Sequence, residues 1–263
     1  MVVYLAIYLG AGWVIDTTAG EAIDFDYIFG DGRSVFLAIA LPVIIGSVIL
    51  FAFAASVRWT PRPPFGRQPV AGARWMWLAP ALVVITFVLR LFGIDWAAYT
   101  GGVIATTFLA GLFVGIAEEV LTRGIVITLL RRHGYREWSV AVLSSIVFAL
   151  LHATNLFSGQ ALTTVLATIG FTFGFGMMMY LTLRVTGHLI WPIVLHALTD
   201  PSTILATGGI DVDGGNSSPL LTIAGLSTLV FLIFALVAMI FIRGNANGRA
   251  AAGEPELRTA VPA

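Results

Sequence analysis

The stretch GGVIATTFLAGLFVGIAEEVLTRGIVITLL, residues 101–130, sets the architecture of the chain. A spanning helix needs roughly 17–25 apolar residues. This run exceeds that length, so its C-terminal end is expected to project from the bilayer. Its charged residues, Glu118, Glu119 and Arg123, lie well inside the run. A charged side chain at a helix centre costs roughly 2.5–3.5 kcal/mol on insertion scales, so such groups face a protein interior or a watery cavity and mark function.

The rest of the chain agrees with a membrane setting. Of 263 residues, 58% are hydrophobic and 11% are charged, and the mean hydropathy is +0.94. A soluble domain carries roughly 25% charged residues. Further apolar runs cover about 1–15, 34–57, 76–94, 138–156, 161–183, 188–207 and 220–242. The expectation is an all-α, polytopic transmembrane helical bundle of about eight spans. The first run is short enough to lie in the interface instead. Cys is absent, which excludes disulfides and thiolate chemistry. Net charge is zero, so nothing favours nucleic acid. The N-terminus has no basic region ahead of its apolar run, as a removable signal peptide would.

All 14 basic residues are Arg, and positive loops favour the cytoplasmic side. Arg58, Arg62, Arg67 and Arg74 fall in one connection, Arg131, Arg132 and Arg136 in another, and Arg184, Arg243, Arg249 and Arg258 extend the pattern. The opposite loops carry Asp16, Glu21, Asp24, Asp26 and Asp31, then Asp211 and Asp213. Both termini are therefore expected in the cytoplasm of a plasma-membrane protein. The chain divides into N-terminal spans (1–100), a core (101–207), a final span (208–242) and a disordered cytoplasmic tail (243–263). Pro61, Pro63, Pro64 and Pro69 stiffen the connection at 58–75.

Two more polar clusters interrupt the spans: Phe148 with His152, and His196 with Asp200. At 1.5 Å per residue, Glu118, His152 and His196 lie ~18, ~22 and ~15 Å from the cytoplasmic ends of their helices. Helices running in alternating directions thus bring them to similar depth. Glu119 and Arg123 are an i,i+4 pair on one face. Adjacent residues point about 100° apart, so Glu118 and Glu119 are not expected to face one small site together. That leaves Glu118 without a local cation, which suits a general base. Phe148 shares a face with His152 and either orients it or makes core or lipid contact. Asp200 shares a face with His196 and can fix its tautomer, support it from behind or ligate an ion. Pro192 and Pro201 bracket that pair and can free backbone carbonyls. His133 and His188 read as a loop and an interfacial residue. Asn155 either contacts the site or ends its helix. Gly111 with Gly115 and Gly170 with Gly174 allow close helix approach, and Met177-Met178-Met179 reads as packing.

The three clusters, in this order and spacing, resemble the CPBP intramembrane protease family. That family is also called Abi and includes the type II CAAX prenyl endopeptidases. Its pattern is Glu-Glu-x-x-x-Arg, then Phe-x-x-x-His, then His-x-x-x-Asn or Asp. Glu118, Glu119 and Arg123 match the first element, Phe148 and His152 the second, His196 and Asp200 the third. The resemblance covers roughly 100–205. It implies an endopeptidase that cuts membrane-anchored or hydrophobic peptides, with Glu118 and His152 activating a water. His196 and the residue at 200 would stabilise the oxyanion. An ionised Asp200 cannot donate to an oxyanion, so it would be protonated, orient His196, or ligate a metal. If a divalent cation such as zinc takes part, Glu118, His152 and His196 would be its ligands; otherwise no cofactor is implied. The implied partners are membrane lipid and a hydrophobic or lipid-anchored peptide.

Two other classes use the same residues. A proton- or ion-coupled transporter relays protons through intramembrane Glu, His and Asp, though the chain lacks the paired broken spans of transporter repeats. A non-catalytic immunity or scaffold protein would keep the fold without the chemistry.

Overall fold

A computed structural model describes residues 2–60, 64–209 and 218–246. Pro61, Arg62 and Pro63 of the proline-rich connection, Asp211 and Asp213, and tail residues 247–263 lie outside the described residues.

Apolar runs without internal proline or glycine clusters fold as helices, because a bilayer leaves no other partner for backbone polar groups. Eight long helices result: α1 Val2–Ala19, α2 Gly32–Ser56, α3 Arg74–Gly93, α4 Gly101–Arg132, α5 Glu137–Phe157, α6 Leu162–Thr186, α7 Ile190–Thr207 and α8 Pro219–Phe241. Six of them, all but α1 and α7, are long and apolar enough to cross a membrane. No strand occurs among the described residues; Arg136 and Asn245 form an isolated antiparallel bridge. The architecture is an all-α polytopic bundle. Two helices contain π-helical stretches, Phe36–Ala40 in α2 and Val120–Val126 in α4.

Helix α6 is the hub. From Gly174 to Arg184 it is buried all round, as expected of a helix with neighbours on every side, and it packs on α5 and α8. Met177, Met178 and Met179 are fully enclosed, as their packing role requires. The most extensive helix pair is α4 with α7. A Cβ at Gly115 would stand 2.9 Å from the Ala197 nitrogen and the Ile193 oxygen, and one at Gly111 2.5 Å from Pro201 Cδ. These two glycines let the backbones meet. Gly174 does the same for α6 against Leu232 of α8, whereas Gly170 has nothing within 4 Å. Helix α7 runs through Pro201 without ending.

One end of the bundle gathers the arginines. Arg131 grips Glu137 with Nε and Nη2 at 2.7 and 2.8 Å, and Arg184 Nη1 reaches the same carboxylate at 3.1 Å. Tyr180 donates to it at 2.7 Å. Arg131 also donates to Gln68. Arg184 donates to the Val70, Ala71 and Arg243 carbonyls at 3.1, 2.9 and 3.3 Å, and the Glu137 amide bonds the Gly244 carbonyl. The loops that the arginine pattern groups together are thus tied into one knot. Trp77, Trp138 and Trp191 stand exposed in the opening turns of α3, α5 and α7, placed as interfacial aromatics are. At the other end, Tyr99 donates to the Leu205 carbonyl at 2.8 Å, and Phe29, Val35, Ile94, Val103 and Leu205 form a second apolar cluster.

Candidate active site

The three clusters converge beneath the α4–α7 contact. Glu119 and Arg123, one helical turn apart and both fully buried, pair at 3.1 Å. The guanidinium is held on three further sides. Nη2 donates to the Gly176 carbonyl at 2.7 Å, Nη1 to Thr122 Oγ1 at 2.6 Å, and the plane lies 4.4 Å from the Phe148 ring centroid. Gly176 makes the space: a Cβ there would sit 3.0 Å from Arg123 Nη2 and 3.1 Å from Phe148.

Glu119 Oε1 also accepts from His196 Nδ1 at 2.9 Å. The other nitrogen of that ring, Nε2, faces Asp200 Oδ2 at 3.2 Å and Glu118 Oε2 at 3.9 Å. Here the structure departs from the sequence expectation that the adjacent glutamates would not share one small site. They meet the two opposite nitrogens of a single imidazole, so the 100° between them is spanned by the ring. A neutral imidazole donates from one nitrogen only. Contacts on both sides therefore need a proton on each nitrogen or on one of the carboxyl groups. The ring is wedged edge-on between Phe148 and Phe175, at centroid distances of 5.6 and 5.0 Å.

His152 begins the 3-10 turn that closes α5. Its ring stacks edge-on against Phe148 at 5.4 Å, and Nδ1 lies 3.3 Å from the Phe148 carbonyl. Phe148 therefore touches both imidazoles and Arg123. Of the readings left open for it, orientation of His152 and core contact both apply. Glu118 and His152 line one cavity of about 160 Å³, with Thr154 and Asn155 also among its polar lining. Glu118 Oε2 is buried and accepts no hydrogen bond from any described residue. His133 and His188 are exposed.

Three residues of this neighbourhood were not read from the sequence. Arg90 lies inside α3, is 6% exposed, and leaves Nη1 without a partner among the described residues. It stands within electrostatic reach of Asp200. An arginine inside a span carries the same signal as Glu118, so Arg90 was open to detection. Phe175 and Tyr8, the latter on the cavity wall near Glu118, carry no such signal, since aromatics are ordinary in spans. The local formal charges are three carboxyl groups, Glu118, Glu119 and Asp200, against two guanidinium groups, Arg90 and Arg123. One further proton makes the cluster neutral, and the two-sided bonding of His196 accommodates it.

The donors do not suit a cation as they stand. Both His196 nitrogens are already engaged by carboxylates, and among the described residues no group of three or more His, Cys, Asp or Glu side chains is placed to hold a metal ion.

The comparisons with known proteins cover this region. No curated protein and no solved structure matches the chain. Residues 100–201 match the family model described as type II CAAX prenyl endopeptidase Rce1-like. That span runs from the residue before α4 to Pro201 in α7 and includes Glu118, Glu119, Arg123, His152, His196 and Asp200. The chain is thus an integral membrane protein whose residues 100–201 are similar to the Rce1-like CAAX protease family, in line with the resemblance its motifs carry, and this match supports an intramembrane endopeptidase in general terms.

Proposed function

We propose that the protein hydrolyses peptide bonds of hydrophobic or membrane-anchored peptides, with Glu118 and His152 activating a water in the cavity they share. The observation that carries this reading is the Glu118 carboxylate, whose buried Oε2 accepts no hydrogen bond from any described residue, on a cavity that His152 also lines. A carboxylate in that state is available to take a proton from water. His152, held against Phe148, is placed to share the same water. Attack on a peptide carbonyl creates an oxyanion, and preorganised donors in a dry site stabilise it far more than donors in water. His196 Nε2–H is the candidate donor. Glu119 fixes the far side of its ring, Arg123 fixes Glu119, and Asp200 orients the near side. Of the three roles open to Asp200, orientation of His196 is the one its 3.2 Å contact favours.

The reading places the arginine-rich end in the cytoplasm, both termini with it, and the protein in the plasma membrane. It takes α4 to α7 as the catalytic core and α1 to α3 and α8 as supporting spans. No step passes through a metal ion.

The test is comparative peptidomics of membranes holding equal amounts of wild type or Glu118→Gln. Peptides produced by wild type alone, with a common cut-site pattern, are the expected result. Identical profiles, with proton flux that responds to Glu118→Gln, would favour a transporter instead.

A further inference from the structure

The cavity beside Glu118 has two unlike kinds of lining. Glu118, His152, Thr154 and Asn155 supply the polar part. The apolar part comes from Leu5 and Tyr8 of α1, Ile39 and Val43 of α2, Val114 and Ala117 of α4, and Leu151 of α5. The reacting water and the peptide backbone need only the polar part. An apolar compartment contiguous with a catalytic carboxylate is the arrangement of a binding site in which a few polar groups orient a ligand and apolar walls select it.

We propose that the apolar part is a specificity pocket, that it receives one apolar side chain of the substrate next to the cut bond, and that Tyr8 sets its size. This rests on the reading of the protein as an endopeptidase. Three observations carry it. The first is volume. A cavity of about 150 Å³ holds one benzene ring, so the whole cavity, about 160 Å³, has room for at most a side chain of leucine, methionine or phenylalanine size. A prenyl chain, several times longer, is not enclosed in it. The second is provenance. Four of the seven apolar and aromatic wall residues lie outside residues 100–201, so the region that carries the chemistry does not by itself shape this pocket. The third is the position of Tyr8. It is half-buried on α1, a helix that packs chiefly on α2, and its phenol stands within electrostatic reach of Glu118. It is the bulkiest of the wall residues and lines the same cavity as Glu118. Shortening it lengthens the pocket, and filling the space from the opposite wall shortens it.

The test uses full-length protein in lipid vesicles and a library of bilayer-embedded apolar peptides, varied one position at a time around the cut. Wild type is compared with Tyr8→Ala and with Val43→Phe, which acts from α2 and does not depend on the folding of α1 around a cavity. Glu118→Gln supplies the background. One methylene of fit is worth roughly tenfold or more in substrate discrimination. The expected result is a position flanking the cut where wild type prefers Leu, Met or Phe. At that position Tyr8→Ala shifts the preference about tenfold toward Trp and Tyr, and Val43→Phe shifts it about tenfold toward Ala and Val. Glu118-dependent cleavage with an unmoved preference in both variants would overturn the specificity pocket alone. Absence of any Glu118-dependent cleavage by wild type would overturn the endopeptidase reading and the pocket together.

Discussion

His196 has two ring nitrogens, and each meets a carboxylate that a different partner controls. Glu119 is anchored by Arg123, and Asp200 lies within reach of Arg90. Arg123 is therefore more than a counter-charge: its fork bonds Glu119 and the Gly176 carbonyl at once while its plane lies on Phe148. A lysine offers a point charge and cannot reproduce that set. Arg123→Lys is expected to lower turnover at least tenfold while leaving a folded protein. Arg123→Met, which strands Glu119, is expected to cost about 3–5 kcal/mol of stability. Turnover and unfolding in detergent separate the two. Arg90 is expected to behave differently, because it makes no hydrogen bond within the described residues. Arg90→Met should lower turnover with little change in KM, and Arg90→Lys should restore most of it, since charge rather than fork geometry is what Asp200 senses. Chelation of divalent ions is expected to leave turnover intact, because both His196 nitrogens are engaged by carboxylates; loss of activity restored by zinc would refute that placement. At this scale the sequence showed Glu118, Glu119, Arg123, His152, His196 and Asp200 because ionisable groups in lipid are rare. It hid Phe175 and Tyr8 because their meaning lies in contacts with distant helices.

The boundaries of the elements were legible. Runs at 76–94, 138–156 and 220–242 fold as Arg74–Gly93, Glu137–Phe157 and Pro219–Phe241, since hydropathy fixes where a helix can sit in a bilayer. The π-helical stretch Val120–Val126 was not legible. Its residues suit an α-helix equally well, and such stretches occur at functional sites where tertiary contacts select them. It follows directly on Glu119 and contains Arg123, so it bears on how those two side chains leave the helix. The pairing of α4 with α7 was half legible. Gly111 and Gly115 marked a close approach, but the partner helix was not visible. Gly115→Val is expected to push α7 away, because its Cβ would already stand 2.9 Å from backbone atoms. Overpacking of this kind costs about 1–3 kcal/mol. Turnover should fall further than stability, since His196 rides on α7 one residue before Ala197. Gly170→Ala, on open space, is the matched control and is expected to leave both unchanged.

At the scale of the molecule, the arginine distribution in the sequence anticipated which loops lie together, and the structure ties them through Glu137. That carboxylate serves Arg131, Arg184 and Tyr180, a degree of convergence no linear pattern encodes. Glu137→Gln leaves two buried guanidiniums short of a counter-charge, and breaking a buried pair costs about 3–5 kcal/mol. Unfolding in detergent should register the loss, while the residual folded protein keeps its cleavage pattern because the knot lies away from His196. The knot also has a history within each molecule's synthesis. Arg184 leaves the ribosome 59 residues before Arg243, whose carbonyl it binds, and long after Val70 and Ala71 have emerged. During translation, then, Arg184 can meet Val70 and Ala71 as soon as α6 is made, but its bond to Arg243 must wait for the last helix. The knot is complete only when nearly the whole chain has been synthesised.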